Sequence, residues 1–179
     1  MAIGLEVFAT GSITQISVSD IARRAGASRA LFYHYFPSKK HLIRAIVDHE
    51  IAQVEKVANQ STIEDVISAY VGYVKDRPMG YKALHVVGLE RTDAVVAHSI
   101  QASREHFEAL IAYLMDLDTT DPRIQFALRS WTNTMVSTCL EWQSRPQIDQ
   151  EVVVGMMART LRALVEQNDH DEPQEPADQ

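Results

Sequence analysis

Two short helical patterns joined by a glycine constrain the fold more than any other part of the chain. Apolar residues recur at the three- and four-residue steps of a helix face, at Val18, Ile21, Ala22 and Ala25. Gly26 follows, and a glycine there takes the left-handed conformation that ends a helix at low steric cost. The pattern therefore predicts a first helix that ends in a tight turn.

A second short helix is predicted directly after this turn. Ser28 is a good N-cap, and Phe32 and Phe36 are four residues apart, so both can face a core. Pro37 ends this helix, and Ser38 can cap the next one. Two short helices joined by such a turn form a helix-turn-helix, whose second helix enters the major groove of DNA.

The outward side of the second helix carries side chains that suit DNA. Arg29 can pair with a guanine edge, and Ala30 is small enough to approach a base or a thymine methyl. The nearby aromatic and basic side chains can reach phosphate or a methyl group: Tyr33, His34, Tyr35, Lys39 and Lys40. From the spacing alone, a helical hairpin buried in a core with a solvated charged rim remains an alternative.

The segment resembles the N-terminal signature of the TetR family of one-component bacterial repressors. The family pattern reads T/S-V-x-x-I-A, then A-G-V-S-x, then L-Y-x-H/Y-F-x-S-K, and this chain reads S-V-S-D-I-A, A-G-A-S-R and F-Y-H-Y-F-P-S-K. The resemblance implies an all-α fold of about nine helices. A helix-turn-helix DNA-binding domain over residues 1–40 would precede a ligand-binding and dimerisation domain over 41–168, with a connecting helix over 41–58.

The resemblance also implies roles for individual residues. The recognition helix would be residues 29–35. Base edges would be contacted by Arg29, Ala30 and Tyr33, with Ser19 reaching over from the preceding helix. Phosphates would be contacted by Ser17, His34, Tyr35 and Lys39. Leu31 departs from the Thr or Ala often found there, so a thymine-methyl contact would replace a phosphate hydroxyl.

The charge distribution agrees with a DNA-binding end. The net charge of the 179 residues is −7, yet residues 1–49 hold six Lys and Arg against three Asp and Glu, which leaves this part at +3 and the rest at −10. A basic end on an acidic body is the asymmetry expected when one end meets phosphate. The hydrophobic content of 46% is ordinary for a globular domain with a core.

The single cysteine, Cys139, excludes an internal disulfide and a cysteine-based zinc site. The N-terminus lacks the basic-then-apolar layout of a signal peptide, and no apolar run approaches the roughly 20 residues that span a bilayer. We therefore expect a cytoplasmic protein without a cofactor or metal and without a membrane partner.

The apolar periodicity of the rest of the chain predicts further helices. Residues 2–10 predict a short first helix, and a longer one runs from Ser38 to about Ala58. The others are predicted from about 62 to 77, 79 to 88, 92 to 117, 123 to 143 and 148 to 167. Residues 169–179 are acidic, contain two prolines and lack an apolar period, so we expect a disordered tail.

The last two predicted helices each carry two apolar stripes, which suggests one face for the core and one for a partner. On helix 123–143 the stripes are Ile124, Leu128, Trp131, Met135 and Cys139, and Phe126, Val136 and Leu140. On helix 148–167 they are Val153, Met157, Leu161 and Leu164, and Val152 and Met156. A homodimer through these two helices is expected, although a thick core would give the same pattern.

A small-molecule effector site in the body follows from the resemblance. Aromatic and polar side chains that could line a mostly apolar cavity are Tyr70, Tyr73, Tyr81, His85, Trp131 and Met135. The same residues at helical spacing are equally consistent with an ordinary core.

The sequence favours a regulator that a small molecule releases from its double-stranded DNA operator over two other functions. An enzyme is disfavoured because the chain has no phosphate-binding loop, dinucleotide glycine pattern, G-x-S-x-G or H-E-x-x-H motif. The remaining alternative is a TetR-like helical sensor or interaction module that has lost specific DNA binding, which the acidic net charge would suit.

Overall fold

Eight α-helices make up the regular structure of the described residues. A computed structural model describes residues 17–56, 62–90 and 94–169, without the side chains of 86–90 and 167–169. No β-strand occurs within these ranges, so the predicted all-α class is confirmed. The predicted first helix over residues 2–10 and the acidic tail beyond Asp169 lie outside the described residues.

The helix bounds follow the sequence prediction to within a few residues. The helices are α1 (Val18–Arg24), α2 (Arg29–Tyr35), α3 (Lys39–Glu55), α4 (Ile63–Asp76), α5 (Pro78–Glu90), α6 (Ala94–Leu114), α7 (Pro122–Trp142) and α8 (Gln150–Asp169). Helix α3 ends three residues before the predicted end, and α5 is longer than predicted at both ends.

Capping side chains and one unusual backbone angle explain where several helices begin and end. Thr62 accepts from the backbone N–H of Asp65 before α4, and Asp121 accepts from that of Arg123 before α7. Helix α6 stops at Leu114 rather than near residue 117 because Asp116 takes a left-handed conformation, with φ +52°. Few residues other than glycine adopt this conformation, and it ends a helix.

The chain divides into two compact units that do not follow the chain order. The first contains the described residues of Met1–Asn59 and Gly72–His106, and the second those of Gln60–Val71 and Phe107–Gln179. Helices α4 and α6 therefore contribute to both units. The first unit holds the helix-turn-helix, and the second holds the α7–α8 pair.

The core of the first unit joins the helix-turn-helix to the helices that follow it. Its buried apolar cluster is Ile21, Ala22, Phe32, Leu42, Ile43, Ile46, Val47, Ala83, Leu84, Val96 and Ile100, with Val18, Phe36 and Ile51 packed against it. Burial of this cluster removes apolar surface from water, which is the main driving force for fixing α1 and α2 on α3.

A buried carboxylate lies on α3, where the sequence pattern indicated only an apolar face. Glu50 is fully buried and forms a two-point ion pair with Arg77, with distances of 2.7 Å from Nη2 to Oε1 and 3.2 Å from Nε to Oε2. The hydroxyl of Tyr73 donates to Oε2 over 3.0 Å. The hydrogen bond to Glu50 raises the pKa of Arg77 above its ordinary value. These contacts connect α3 to α4.

The second unit is built around α7 and α8. Trp131 is fully buried, and its indole N–H donates to the carbonyl oxygen of Met157 over 2.9 Å. The first stripe predicted on α7 is buried, whereas Phe126 of the second stripe is 75% exposed. On α8, Val152 and Met156 are also exposed. The two helices thus present apolar side chains both inward and outward.

Candidate DNA-binding surface

The first helix of the helix-turn-helix is fixed by a reciprocal cap. The hydroxyl of Ser17 accepts from the backbone N–H of Asp20 over 3.1 Å and donates to the Asp20 carboxylate over 2.6 Å. Arg23 donates to the same carboxylate over 2.8 Å. The hydrogen bond from Ser17, with the adjacent charge of Arg23, lowers the pKa of Asp20. The start of α1 is therefore tied to its last turn.

The turn between α1 and α2 depends on Gly26. Its φ is +61°, which L side chains rarely adopt, and its N–H donates to the carbonyl oxygen of Arg23. The N–H of Ala27 reaches back to the carbonyl oxygen of Ala22 over 2.9 Å. These two backbone hydrogen bonds are the usual way in which a helix ends at a residue in the left-handed conformation. Both the glycine and its role agree with the sequence prediction.

The second helix begins at its predicted cap and turns one side into the core. The Ser28 hydroxyl accepts from the N–H of Leu31 over 3.1 Å. Phe32 is buried, and its ring centroid lies 5.6 Å from that of the half-buried Phe36. Seven residues make two turns of helix, so fixing Phe32 inward decides which side chains of α2 face away from the core.

The outward side of α2 presents the residues predicted to contact DNA. All five are exposed: Arg29, Ala30, Tyr33, His34 and Tyr35. Tyr35 is 69% exposed, so it is not part of the core. The guanidinium carbon of Arg29 lies 5.6 Å from the ring centroid of Tyr33, a distance at which a cation and an aromatic ring attract each other.

The other predicted contacts lie at helix starts beside α2. Ser17 and Ser19 are exposed at the beginning of α1. Lys39, the first residue of α3, is half-buried, and Lys40 is exposed. Ser38 caps α3 by accepting from the N–H of His41, so the amide groups of the first turn lie beside these lysines. Positive charge and helix amides together favour an anion.

Two further exposed side chains on this surface were not named as site residues from the sequence. Leu31 is 47% exposed on α2, and Arg24 is exposed in the last turn of α1. For Leu31 the sequence predicts only a thymine-methyl contact in place of a phosphate hydroxyl, and it counts Arg24 only in the charge of residues 1–49. Their exposure follows from the burial of Ile21 and Phe32, which fixes how each helix is rotated about its axis.

The predicted effector residues are all buried and fall in both compact units. Tyr73, Tyr81 and His85 belong to the first unit, and Tyr70, Trp131 and Met135 to the second. In the second unit, Phe107 lies between two of them, with ring centroids 5.3 Å from Tyr70 and 6.3 Å from Trp131. Within the described ranges, no group of three or more His, Cys, Asp or Glu side chains could hold a metal ion, and no helix is long and apolar enough to cross a membrane.

Sequence comparisons match most of the chain. Residues 1–46 match the family described as bacterial regulatory proteins, tetR family, and residues 59–164 match the tetracyclin repressor-like C-terminal domain. A 55-residue segment is 36% identical to the HTH-type transcriptional regulator EthR of Mycolicibacterium smegmatis, and a 43-residue segment is 42% identical to EthR of Mycobacterium tuberculosis. These segments cover 31% and 24% of this chain and only 25% and 20% of the two relatives.

Solved structures share the fold over nearly the whole chain. A tetR-family transcriptional regulator from Streptomyces coelicolor is 23% identical with a TM-score of 0.71, covering 98% of this chain and 89% of its own. A TetR-like regulator from Rhodococcus sp. RHA1 is 17% identical with a TM-score of 0.78, covering 91% and 92%. NalD from Pseudomonas aeruginosa, the secondary repressor of the MexAB-OprM multidrug efflux pump, is 17% identical with a TM-score of 0.67, covering 92% of each chain.

An exposed recognition helix on an otherwise helical chain defines a transcriptional regulator with a helix-turn-helix for binding DNA. The match to the C-terminal domain covers more than half of the sequence, and the N-terminal match covers the helix-turn-helix itself. The chain belongs to the TetR family of bacterial regulatory proteins.

Proposed function

We propose that this chain is a homodimeric repressor that binds a double-stranded DNA operator and is released from it by a small-molecule effector. The observation that carries the proposal is the geometry of α2, where burial of Phe32 leaves Arg29, Ala30 and Tyr33 exposed along one side. Those three side chains would meet base edges, with Ser19 reaching in from α1. Bidentate pairing of an arginine with guanine is the commonest specific contact in the major groove.

The phosphate contacts would come from the ends of the helices around α2. His34 and Tyr35 are exposed, and Lys39 is the first residue of α3. Ser17 differs, because its hydroxyl proton is already donated to Asp20. A phosphate contact by the Ser17 side chain would require that bond to open, so we assign it a smaller part in affinity than the contact made by Lys39.

Two copies of the recognition helix are needed because seven residues read only a few base pairs. The proposed dimer face is the outward side of α7 and α8, where Phe126 is 75% and Val152 57% exposed. Exposed apolar side chains on both helices favour association with a partner. Two-fold symmetry would place the recognition helices in successive major grooves, about 34 Å apart.

Release by an effector would follow from unequal binding to two conformers. An effector that favours the conformer with the wrong spacing of recognition helices lowers DNA affinity by its differential binding free energy. A coupling free energy of about 1–3 kcal/mol weakens DNA binding roughly 5- to 150-fold. The helical body between α4 and α8 supplies the candidate residues for that effector.

The proposal is tested by selecting genomic fragments with the purified full chain and footprinting the enriched sites. We expect a footprint with two-fold symmetry and half-sites separated by about 10 base pairs or a multiple of that. Arg29→Ala should abolish the footprint, whereas Lys75→Ala, which removes an exposed charge from α4, should leave it unchanged. Absence of any enriched site would favour the alternative of a TetR-like helical module that has lost specific DNA binding.

A further inference from the structure

His85 on α5 is a buried polar side chain that the packing of the first unit leaves incomplete. It is 8% exposed, and no hydrogen-bond partner for its Nε2 is found within the described part of the chain. Folded proteins leave few buried polar atoms in this state, and such atoms often belong to functional sites. Nε2 is therefore the point at which this core can accept a ligand.

Aromatic surface lies directly beside the His85 ring. The ring of Tyr81, itself fully buried, lies 4.4 Å from it between centroids in an edge-on arrangement. Tyr73 lies 6.0 Å from Tyr81, and its hydroxyl is directed to Glu50. The polar end of Tyr73 is thus used within the protein, and Tyr81 places apolar ring surface next to the His85 ring.

A positive charge lies close to the same histidine. Burial, and to a smaller extent the positive charge of Arg104 on α6, lower the pKa of His85 to about 3. The imidazole is therefore neutral at physiological pH, with one nitrogen carrying a proton. Arg104 is half-buried and belongs to the same compact unit. A positive guanidinium beside a neutral imidazole favours an anionic ligand group and disfavours a cationic one.

We propose that His85 and Arg104 bind the carboxylate of the effector, and that its aromatic or aliphatic body packs against Tyr81. This inference rests on the proposed function, since it names the chemical class of the effector. With the ring protonated at Nε2, the carboxylate accepts one hydrogen bond from Nε2–H and one from the guanidinium, and both bonds are charge-assisted. A neutral amide of the same shape can make only weaker bonds to these groups.

The test is calorimetric titration of the full chain with phenylacetate and octanoate, each against its neutral amide. We expect at least one acid to bind ten-fold or more tightly than its amide. His85→Phe keeps a ring beside Tyr81 but removes Nε2, so it should fold as stably as the wild type and bind that acid at least ten-fold more weakly. Arg104→Met should abolish the preference for acid over amide.

Three results would overturn the inference: neither acid binds, acid and amide bind alike, or His85→Phe binds the acid as the wild type does. Lys82→Ala, which removes an exposed charge on the same helix, is the control and should bind the acid normally. DNA binding without acid is measured separately. If the protein binds DNA but neither acid, only the carboxylate site is rejected. If the protein binds an acid through His85 but binds no DNA, only the proposed repressor is rejected.

Discussion

Replacing Arg77 with alanine is expected to destabilise the protein more than any loss of an exposed charge. The substitution removes both hydrogen bonds from the guanidinium to Glu50 and leaves a fully buried carboxylate that keeps the hydrogen bond from the Tyr73 hydroxyl. Removing one partner of a buried ion pair lowers the free energy of unfolding by about 3–5 kcal/mol. About a third of the Arg77 side chain remains in water, so we take the lower end of this range, about 3 kcal/mol.

Urea denaturation followed by circular dichroism measures this change through the midpoint and slope of the unfolding transition. Lys75→Ala on the same helix is the matched control, and its free energy of unfolding should stay within about 0.5 kcal/mol of the wild type. Tyr73→Phe should cost about 1.5–3 kcal/mol, because it removes a hydrogen bond to a charged group. An Arg77→Ala variant as stable as the Lys75→Ala control would refute the buried ion pair.

Four other changes test separate parts of the structure. Gly26→Ala should lower the free energy of unfolding by about 1 kcal/mol through its positive φ alone, since no atom lies within 4 Å of the added Cβ; an unchanged urea midpoint would contradict this. Gly80→Ala places Cβ against the carboxylate of Glu50, so the free energy of unfolding in urea should fall more in the wild type than in a Glu50→Ala background; equal losses would argue against the close contact. Folding lowers the pKa of His85 from 6.5 to about 3, so between these pH values the unfolded chain takes up a proton that the folded chain does not. The free energy of unfolding should therefore decline by up to about 1.4 kcal/mol per pH unit as the pH falls from 6.5 towards 3. Urea midpoints measured across this range should decline less steeply in His85→Phe. Phe126→Glu should shift sedimentation from dimer towards monomer, and an unchanged dimer would exclude that face as the interface.

The helix-turn-helix could be predicted from sequence because its signals act over short distances. Ser28 caps a helix that begins at the next residue, and Gly26 sets the conformation of the turn in which it lies. Phe32 then fixes the orientation of a two-turn helix without reference to the rest of the chain. Local preference and burial agree at each of these positions, so the exposed surface follows from them.

The buried polar groups could not be predicted in the same way. Glu50 lies between His49 and Ile51, and its partners are 23 and 27 residues further along the chain. His85 was named as a candidate for its polarity, but its incomplete hydrogen bonding becomes visible only once the packing of α5 is known. On α6 the apolar pattern continues past Leu114, and only the backbone of Asp116 shows where the helix ends.

The most direct test of the account is the affinity of the protein for its selected operator and for a scrambled duplex, measured by fluorescence anisotropy over a range of salt. We predict that Arg29→Ala removes about 1–3 kcal/mol of the binding preference for the operator over the scrambled duplex. Lys39→Ala should weaken binding to both duplexes alike and reduce the slope of log affinity against log salt concentration by about one. Equal operator preference in the wild type and Arg29→Ala would contradict a recognition helix that reads bases through its exposed side.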